Sequence, residues 1–361
     1  MRGKVSEQAS FVSLINVENL ISLEHPIRRI KALVDEVLRG MSEHFEGMYA
    51  PLGRRSIPPE QLLKAKVLQA LYTVRSDRQL CARLQTDLLF RWFIDLDLER
   101  EVFDPSTFSQ NQDRLLEHAV AEIFFKEVVE LAKKEGWVSN DHFSVDGTLI
   151  EAWASMKNFR PKGEVPPEGG GGNDGGRNGW HDFKGQKRSN DTHASTTDPE
   201  AKLLRKAAGK EAKLCFGAHA VMENRHGLCV LFDVRSAVGE PESHVAVEQM
   251  GSLRERGFTP QTVGGDKGYH TEAFVTGVRQ AGIEPHVAFH ARRNLMGMAA
   301  TVTREVSQRI RKRIEEIFGW TKTTGGFRKS RYRGIAKTNA AGQMVVASLN
   351  LLRMAKLASM A

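Results

Sequence analysis

Hydrophobic residues recur at helical spacing along the first 135 residues. Apolar positions three and four residues apart run through "IRRIKALVDEVL", "PPEQLLKAKVLQALYTV" and "EIFFKEVVELAKK". Pro58 and Pro59 stand where the first turn of a helix tolerates proline. Stretches beginning at Ser76 and Asp104 open with capping residues before further helical runs. The pattern predicts an all-α N-terminal domain over residues 1–135.

The pattern changes to strand-like alternation at "DHFSVDGTLIEAW". The stretch "CFGAHAVMENRHGLCVLFDVRSAVG" then predicts a hairpin that turns at residues 224–227. Helical and strand-like runs alternate afterwards, in "ESHVAVEQMGSLRER", "QTVGGD", "TEAFVTGVRQAG" and "EPHVAFH". This order predicts an α/β domain over residues 136–361, with a sheet layered by helices.

One part of this second domain lacks the residues that build a core. Residues 160–198, which include "PPEGGGGNDGGRNG", are rich in glycine, proline and polar side chains. Such a composition buries too little apolar surface to offset the entropy of ordering the chain. We therefore predict a mobile insertion here.

Composition restricts the class of protein. The 361 residues are 40% apolar, which is enough for a substantial core. No apolar run approaches the roughly 20 residues of a membrane span, and the N-terminus lacks the order of a signal peptide. The three scattered cysteines, Cys81, Cys215 and Cys229, form no disulfide framework. A cytoplasmic protein that does not enter a membrane is expected.

The positive charge is concentrated late in the chain. Net charge is +8, and residues 304–337 contain eleven Lys or Arg against three Glu. Such a surface favours a polyanion, because Lys and Arg bind phosphates and release counterions. A solvated helix face is the simpler alternative. The short N-terminal helices likewise allow either a DNA-binding helix-turn-helix or a bundle that binds nothing.

Two adjacent glutamates lie inside that basic segment, in "RIRKRIEEIFGWTK". At 3.6 residues per turn, one stripe of the helix is apolar and predicts a buried face: Ile310, Ile314, Ile317 and Phe318. Glu315 lies on the flank of this stripe, within about 40° of Arg311 and Lys322, whereas Glu316 points to the other side. An active-site carboxylate would occupy the position of Glu315. For this helix alone, an intrahelical Arg–Glu pair is the simpler interpretation.

Two aspartates occupy positions where α/β proteins place functional groups. Asp266 ends the strand "QTVGGD", and ligand sites gather outside the carboxyl ends of strands. An ordinary turn aspartate is an equal alternative. Asp146 lies on the polar face of its strand before Gly147. Although Asp-Gly often forms a hairpin turn, the alternation continues through Thr148 and Leu149, which argues against a turn there.

Sequence blocks along nearly the whole chain resemble one family. They are "HPIRRIKALVDEVL", "SIPPEQLLKAKVLQALYTVRSDRQLCARL", "FRWFIDLDL", "FSVDGTLIEAWASMKNF", "HVAVEQM", "GDKGYHTEAFV" and "RIRKRIEEIFGWTKTTGGFRKSRYRG". In this order they resemble the blocks of bacterial insertion-sequence transposases of the DDE class, most closely the IS-five-like group.

The resemblance implies a ribonuclease-H-like catalytic domain, in which a mixed sheet is flanked by helices, behind a helical DNA-binding domain. It assigns Asp146 to the first strand, Asp266 to a neighbouring strand and Glu315 to a later helix as catalytic and metal-binding residues. The family signature Tyr-x2-Arg-x3-Glu-x6-Lys matches Arg311, Glu315 and Lys322. Gln308 stands where the family has tyrosine, and the spacer at 290–308 also differs.

The chemistry implied is two-metal cleavage of phosphodiester bonds, followed by strand transfer to target DNA. Two Mg²⁺ ions, replaceable by Mn²⁺, suit these oxygen ligands. Asp146 would bridge both ions, and Asp266 and Glu315 would each complete one. Basic side chains are expected to hold DNA phosphates: Arg311, Lys322, Lys312, Arg313, Arg328 and Lys329.

The implied partners are double-stranded DNA, as terminal inverted repeats and as target, and a second copy of the chain in a homodimer on DNA. Association with the nucleoid would follow. Alternative hypotheses are a catalytically inactive DNA-binding remnant, motivated by Gln308 and the 290–308 spacer, and a host nuclease of the same fold. A zinc site at Cys215, His219, His226 and Cys229 is disfavoured, because the spacing fits no common site.

Overall fold

A computed structural model describes residues 16–48, 56–163, 188–205, 209, 211–288 and 305–360. The chain begins with helices that precede any strand: α1 (Val17–Leu20), α2 (Pro26–Gly40), α3 (Ser42–Gly47), α4 (Pro59–Leu71), α5 (Asp77–Thr86), α6 (Leu88–Phe93), α7 (Pro105–Glu117) and α8 (Val120–Lys134). The predicted helical N-terminal region is confirmed.

The predicted start signals act at these helices. Proline is the first residue of α4, and the side chains of Ser76 and Asp104 accept backbone N–H groups at the starts of α5 and α7. Each contact satisfies a donor that a first helical turn leaves without a partner.

Strands and further helices follow: β1 (His142–Glu151), β2 (Phe159–Pro161), β3 (His193–Ser195), β4 (Lys202–Arg205), β5 (Ala212–Glu223), β6 (Cys229–Ser236), α9 (Glu242–Glu255), β7 (Thr262–Gly265), α10 (Glu272–Gln280), β8 (Glu284–Val287), α11 (Glu305–Arg311), α12 (Ile314–Lys322) and α13 (Ile335–Leu357). The hairpin of β5 and β6 turns at 224–227, as predicted. The β1 strand passes through Asp146 and Gly147 without a turn.

Six strands form one mixed sheet. β1 lies at its centre, antiparallel to β5 and parallel to β7, and β8 is parallel to β7. β6 and β4 both pair with β5. An antiparallel meander of β1, β5 and β6, extended by two strands parallel to β1, is the ribonuclease-H-like arrangement. The predicted α/β class is therefore confirmed.

The mobile insertion predicted over residues 160–198 includes residues that form strands. β2 and β3, at its two ends, form a two-stranded antiparallel sheet, with Phe159 opposite Ser195. Phe159 is 2% exposed and stacks on His193, so apolar burial holds both ends in place. The remaining prediction concerns residues 164–187, which lie outside the described residues.

The last helix, α13, was not predicted from the sequence. It packs against β6 and also against α2, α4 and α8. The side chain of Asn350 bonds both the N–H and the carbonyl of Cys229, and Asn339 accepts the N–H of Val234. Through α13, the helical region and the sheet share one hydrophobic core. The predicted boundary between an N-terminal and a catalytic domain at residues 135/136 therefore stays a prediction.

The helix predicted over residues 309–322 is in fact two helices. α11 ends at Arg311, and α12 begins at Ile314 after a turn at Lys312 and Arg313. The predicted apolar stripe is buried within α12, where Ile314, Ile317 and Phe318 are at most 7% exposed. No helix in the described ranges is long and apolar enough to cross a bilayer.

Candidate active site

Adjacent parallel strands bring Asp146 and Asp266 together. Ser144 of β1 lies opposite Gly264 of β7. Two further steps along each chain reach Asp146 and Asp266, and neighbouring strands are about 4.8 Å apart. β7 ends at Gly265, and Asp266 turns the chain by accepting the N–H of Gly268 at 2.7 Å. The register therefore directs these two residues toward the same end of the sheet, where the charge of Asp266 acts on Asp146.

The environment of Asp146 disfavours its charged form. The pKa of the Asp146 carboxyl is raised to about 6, mainly by burial and in smaller part by the charges of Asp266 and Glu242. The N–H of Gly147, which donates to Oδ1 at 2.9 Å, and the Arg311 guanidinium act in the opposite direction. Acidic groups thus crowd around a carboxylate that makes no ion pair in the described parts of the chain. Such crowding is typical of functional sites.

Glu242 is an acid at this site that sequence reasoning missed. It is the first residue of α9, and burial together with the charge of Asp266 raises its pKa. No sequence signal separates it from the many acidic residues found in first helical turns. Only the packing of α9 over β1 reveals its position.

Tyr269 forms the apolar wall of the site. Its ring is 2% exposed and packs tightly on Gly265, where an added Cβ would lie 2.9 Å from the tyrosine Cβ. Burial raises the pKa of Tyr269 well above its usual value, and the charges of Glu242, Asp146 and Asp266 add to this. The phenol therefore stays neutral beside the acidic groups.

Gln308 attaches α11 to the end of the sheet. Its Nε2 donates to the carbonyl of His286 at 2.7 Å and to that of Gly265 at 3.3 Å. These carbonyls lie at β8 and at the end of β7, directly before Asp266. The residue that departs from the family signature is therefore well accommodated, and it places Arg311 one turn further along, within electrostatic range of Asp146.

The two glutamates of α12 are not equivalent, as predicted. Glu316 forms an ion pair with Arg353 of α13 at 3.0 Å. Glu315 is exposed and makes no ion pair with a described residue. Lys322, two turns further on the same side of α12, donates to Thr148 Oγ1. No contact joins Glu315 to Asp146 or Asp266 among the described residues, so its catalytic role stays a prediction.

Lys322 lies on the same face of β1 as Asp146. Side chains two residues apart share one face of a strand, and Thr148 is about 7 Å along β1 from Asp146. The other predicted DNA contacts are more exposed: Lys312, Arg313, Arg328 and Lys329. Arg313 bonds the carbonyl of Asn224 at 2.9 Å, and Lys329 lies over the ring of Trp153.

The donor chemistry of the site suits a hard divalent cation. Its carboxylate oxygens repel one another, and a cation between them would relieve that repulsion. The described residues contain no set of three or more His, Cys, Asp or Glu side chains already in ligand geometry. The fit therefore rests on donor type and charge. The disfavoured zinc quartet is not assembled either, because Cys215 and Cys229 bond the carbonyls of Lys202 and Leu231.

Two family models match the chain. A model described as a transposase domain (DUF772) matches residues 15–114, and one described as a transposase DDE domain matches residues 180–351. Together they cover about three quarters of the chain. The DDE match includes Asp266 and Glu315 and begins after Asp146.

Two solved structures align over most of the chain. The piggyBac transposase synaptic complex with hairpin DNA aligns at 8% identity with a TM-score of 0.40, covering 94% of this chain and 77% of that one. The Mos1 transposase paired-end complex with left transposon end aligns at 11% identity with a TM-score of 0.21, covering 87% of each chain. These alignments are loose, and the fold class rests on the strand order described above.

Proposed function

Because the chain belongs to the DDE-type transposases, we propose that it binds the terminal inverted repeats of its own insertion sequence and catalyses DNA strand cleavage and strand transfer. Membership of the IS-five-like group is part of this proposal, and it is supported by the sequence blocks. One observation carries the catalytic part. Asp146 and Asp266, which are 120 residues apart, meet at the end of β7 without basic ion-pair partners among the described residues.

The proposed cofactor is Mg²⁺, as two ions, with Mn²⁺ able to replace it. When bound, the ions would activate the attacking oxygen and neutralise charge on the phosphate and on the leaving oxygen. Asp146 and Asp266 would hold them, and Glu315 would join from α12. Ionised carboxylates are required, so the crowding that raises the pKa of Asp146 is relieved only when a cation is present.

Two basic side chains are placed to hold DNA phosphates. The Nε of Arg311 is buried and makes no hydrogen bond to a described residue, while its charge reaches Asp146. Lys322 lies on the Asp146 face of β1 through its bond to Thr148. Phosphates bound by these two residues would lie beside the carboxylates, where strand cleavage occurs. Two copies of the chain, one for each transposon end, are proposed to assemble on DNA.

Nicking of supercoiled DNA that carries the element's ends tests the proposal. We expect Mg²⁺-dependent nicking that stops in Asp146→Asn and persists in Asp141→Asn, an exposed aspartate on the same segment. Nicking in EDTA, or full activity of Asp146→Asn, would contradict it. Equal nicking of plasmids that lack the ends would favour a host nuclease instead.

The alternative of an inactive DNA-binding remnant lacks a supporting observation. It was motivated by Gln308, yet Gln308 bonds two strand-end carbonyls and places α11 beside the aspartates. The same nicking experiment decides between the two, since a remnant would bind the ends without cleaving them.

A further inference from the structure

The chain between α12 and α13 is held from two sides. We call residues 324–332 the connecting segment. On one side it pairs with the end of β1, where the N–H of Glu151 donates to the carbonyl of Arg328 at 3.1 Å and the N–H of Ser330 donates to the carbonyl of Glu151 at 2.7 Å. On the other side it contacts the turn between α4 and α5. The connecting segment therefore bridges the sheet and the helical region.

Two hydrogen bonds join the connecting segment to that turn. The hydroxyl of Thr73 donates to the carbonyl of Thr324 at 2.8 Å, and the guanidinium of Arg331 donates to the carbonyl of Val74 at 3.1 Å. Thr73 and Val74 lie in the part of the chain that matches the first transposase model, and the connecting segment lies in the part that matches the DDE model. The two bonds thus connect the two matched regions.

The backbone of Thr73 is strained. Its φ is +54°, in the left-handed region that β-branched residues rarely adopt. The N–H of Val74 donates to the carbonyl of Gln69 at 2.9 Å, which closes the turn after α4. Helices usually place glycine at this position, because glycine makes the turn without strain. The hydroxyl that threonine has and glycine lacks is the group that bonds Thr324.

Stability does not require this hydroxyl. Thr73 is exposed, so water can replace its bond to the Thr324 carbonyl at little cost. The bond instead limits where the connecting segment begins. Gly325 and Gly326 follow Thr324, and glycine allows the backbone more conformations than other residues do. A strained residue that makes an exposed bond to a distant segment is typical of a functional constraint.

The connecting segment carries two of the predicted DNA contacts. Arg328 and Lys329 are exposed and lie beside the end of β1. Glu151, their neighbour on β1, is five residues beyond Asp146, which corresponds to about 17 Å along a strand. A DNA strand rises about 3.4 Å per nucleotide, so this distance spans roughly five nucleotides. Arg328 and Lys329 are therefore placed to meet phosphates of a strand whose cleaved phosphate lies at Asp146.

We propose that Thr73 is a positioning residue for DNA binding, whose hydroxyl holds the start of the connecting segment so that Arg328 and Lys329 meet phosphates of the transposon end. This inference rests on the proposed function. It names a contact through which the helical region acts on DNA bound at the sheet. It also gives a reason for a strained threonine where glycine would form the turn.

The test is DNA affinity at several salt concentrations, measured by fluorescence anisotropy with a labelled duplex copied from the element's end. We expect Thr73→Gly to weaken binding roughly three- to tenfold and to lower the salt-dependence slope by about one to two, the effect of losing one or two phosphate contacts. Thr73→Ser keeps the hydroxyl and should bind as the wild type does. Wild-type affinity in Thr73→Gly would overturn the inference.

Thermal unfolding separates this role from a structural one. Thr73→Gly relieves the strained φ, so its melting temperature should equal the wild-type value or exceed it by about 1–3 °C. Ala119→Gly is the matched control, because Ala119 is also exposed, precedes a helix and has a φ of +51°. It should keep full DNA affinity. A lower melting temperature in Thr73→Gly with unchanged affinity, or an equal loss of affinity in Ala119→Gly, would contradict the inference.

A combined variant tests whether Thr73 acts through the two cations. When Arg328 and Lys329 are both replaced by alanine, Thr73→Gly should weaken DNA binding no further, because the contacts that it places are already lost. A further loss as large as that in the wild-type background would show that Thr73 acts elsewhere, and would overturn the inference.

Failure of this inference can be distinguished from failure of the proposed function. If the wild-type chain binds and nicks end-bearing DNA and Thr73→Gly does both equally well, the transposase chemistry stands and Thr73 is not part of it. If the wild-type chain neither binds nor nicks that DNA, the proposed function itself fails.

Discussion

Two clusters of charged side chains among the described residues differ in whether opposite charges are paired within them. In the helical region, Lys64 is 5% exposed and forms ion pairs with Asp35 and Asp95. Lys31 bridges the same two aspartates, at 3.2 Å and 2.5 Å. At the end of β7, the charge of Asp266 acts on both Asp146 and Glu242, and the Arg311 guanidinium acts on Asp146 in the opposite direction.

The pKa shifts favour the charged forms in the first cluster and disfavour them in the second. Burial alone would lower the pKa of Lys64, yet its bonds to Asp35 and Asp95 raise it, and the pKa of Asp95 is lowered. Each partner there stabilises the charged form of the other. The pKa values of Asp146 and Glu242 are both raised, by burial and by the charge of Asp266, so the charged forms of both carboxylates are disfavoured. The carboxylates of the first cluster have basic partners, whereas those of the second form no ion pair with a described residue, which is what the proposed cation site predicts.

The largest expected effect belongs to the cluster at β7. Asp266→Asn removes a carboxylate from the proposed cation site and should abolish strand cleavage. Losing several kcal/mol of transition-state stabilisation lowers the cleavage rate about a thousandfold or more. Rates of nicking on end-bearing plasmid measure this. Asp233→Asn, on β6 beside Arg235, changes an aspartate of the same sheet that is already ion-paired and serves as the control.

A substitution in the helical cluster should lower the free energy of unfolding and leave cation binding unchanged. Lys64→Met removes the more buried of the two lysines and leaves Asp35 and Asp95 with Lys31 as their remaining partner. A broken buried pair costs about 3–5 kcal/mol, and partial exposure of the two aspartates reduces this to between about 2 and 3 kcal/mol. Urea unfolding measures the loss, and Mn²⁺ affinity should stay at the wild-type value. A Lys64→Met protein as stable as the wild type would remove the contrast between the clusters.

Stability against pH, measured in EDTA, sharpens the comparison. The folded pKa of Asp146, about 6, lies above the ordinary aspartate pKa of 3.8, so between these values the folded state holds a proton that the unfolded state has released. The contribution of Asp146 to stability should therefore fall by roughly 2 kcal/mol as pH rises from about 4 to 6. Asp146→Asn lacks this loss. Parallel stability profiles for the two proteins across that range would contradict the assigned environment.

The smallest expected effect separates the adjacent glutamates of α12. Glu316→Gln breaks the ion pair with Arg353, and because Glu316 is 61% exposed, we expect a loss of about 0.5 kcal/mol with cleavage unchanged. Glu315→Gln should leave stability unchanged and abolish cleavage. Full cleavage activity in Glu315→Gln would remove the third signature acid from the mechanism.

Sequence pattern predicted most elements because each carries its own local signal. The capped helices, the β5–β6 hairpin and the strand before Asp266 all depend on neighbouring residues. The split between α11 and α12 is not visible in periodicity, because the apolar stripe continues across it. α13 was missed, and its polar residues Asn339 and Asn350 bond the edge of β6, a contact that only the tertiary structure shows.

In the candidate site, too, residues with a local sequence signal were predictable and those placed by tertiary packing were not. Asp146 and Asp266 could be predicted from strand positions together with family resemblance, and the sheet register places them side by side. The position of Glu242 could not be predicted, since it depends on how α9 crosses β1 and on the absence of a side chain at Gly147. The spatial relation of Glu315 to the aspartates depends on the turn between α11 and α12, which periodicity does not specify.

The most direct test of the central claim is to map where a bound cation sits. Fe²⁺ in place of Mg²⁺, with ascorbate and peroxide, cuts the polypeptide backbone near the metal, and mass spectrometry locates the cuts. We expect cuts beside Asp146 and Asp266 that excess Mg²⁺ suppresses and that Asp146→Asn lacks. Cuts confined to other parts of the chain, or an unchanged pattern in Asp146→Asn, would contradict it.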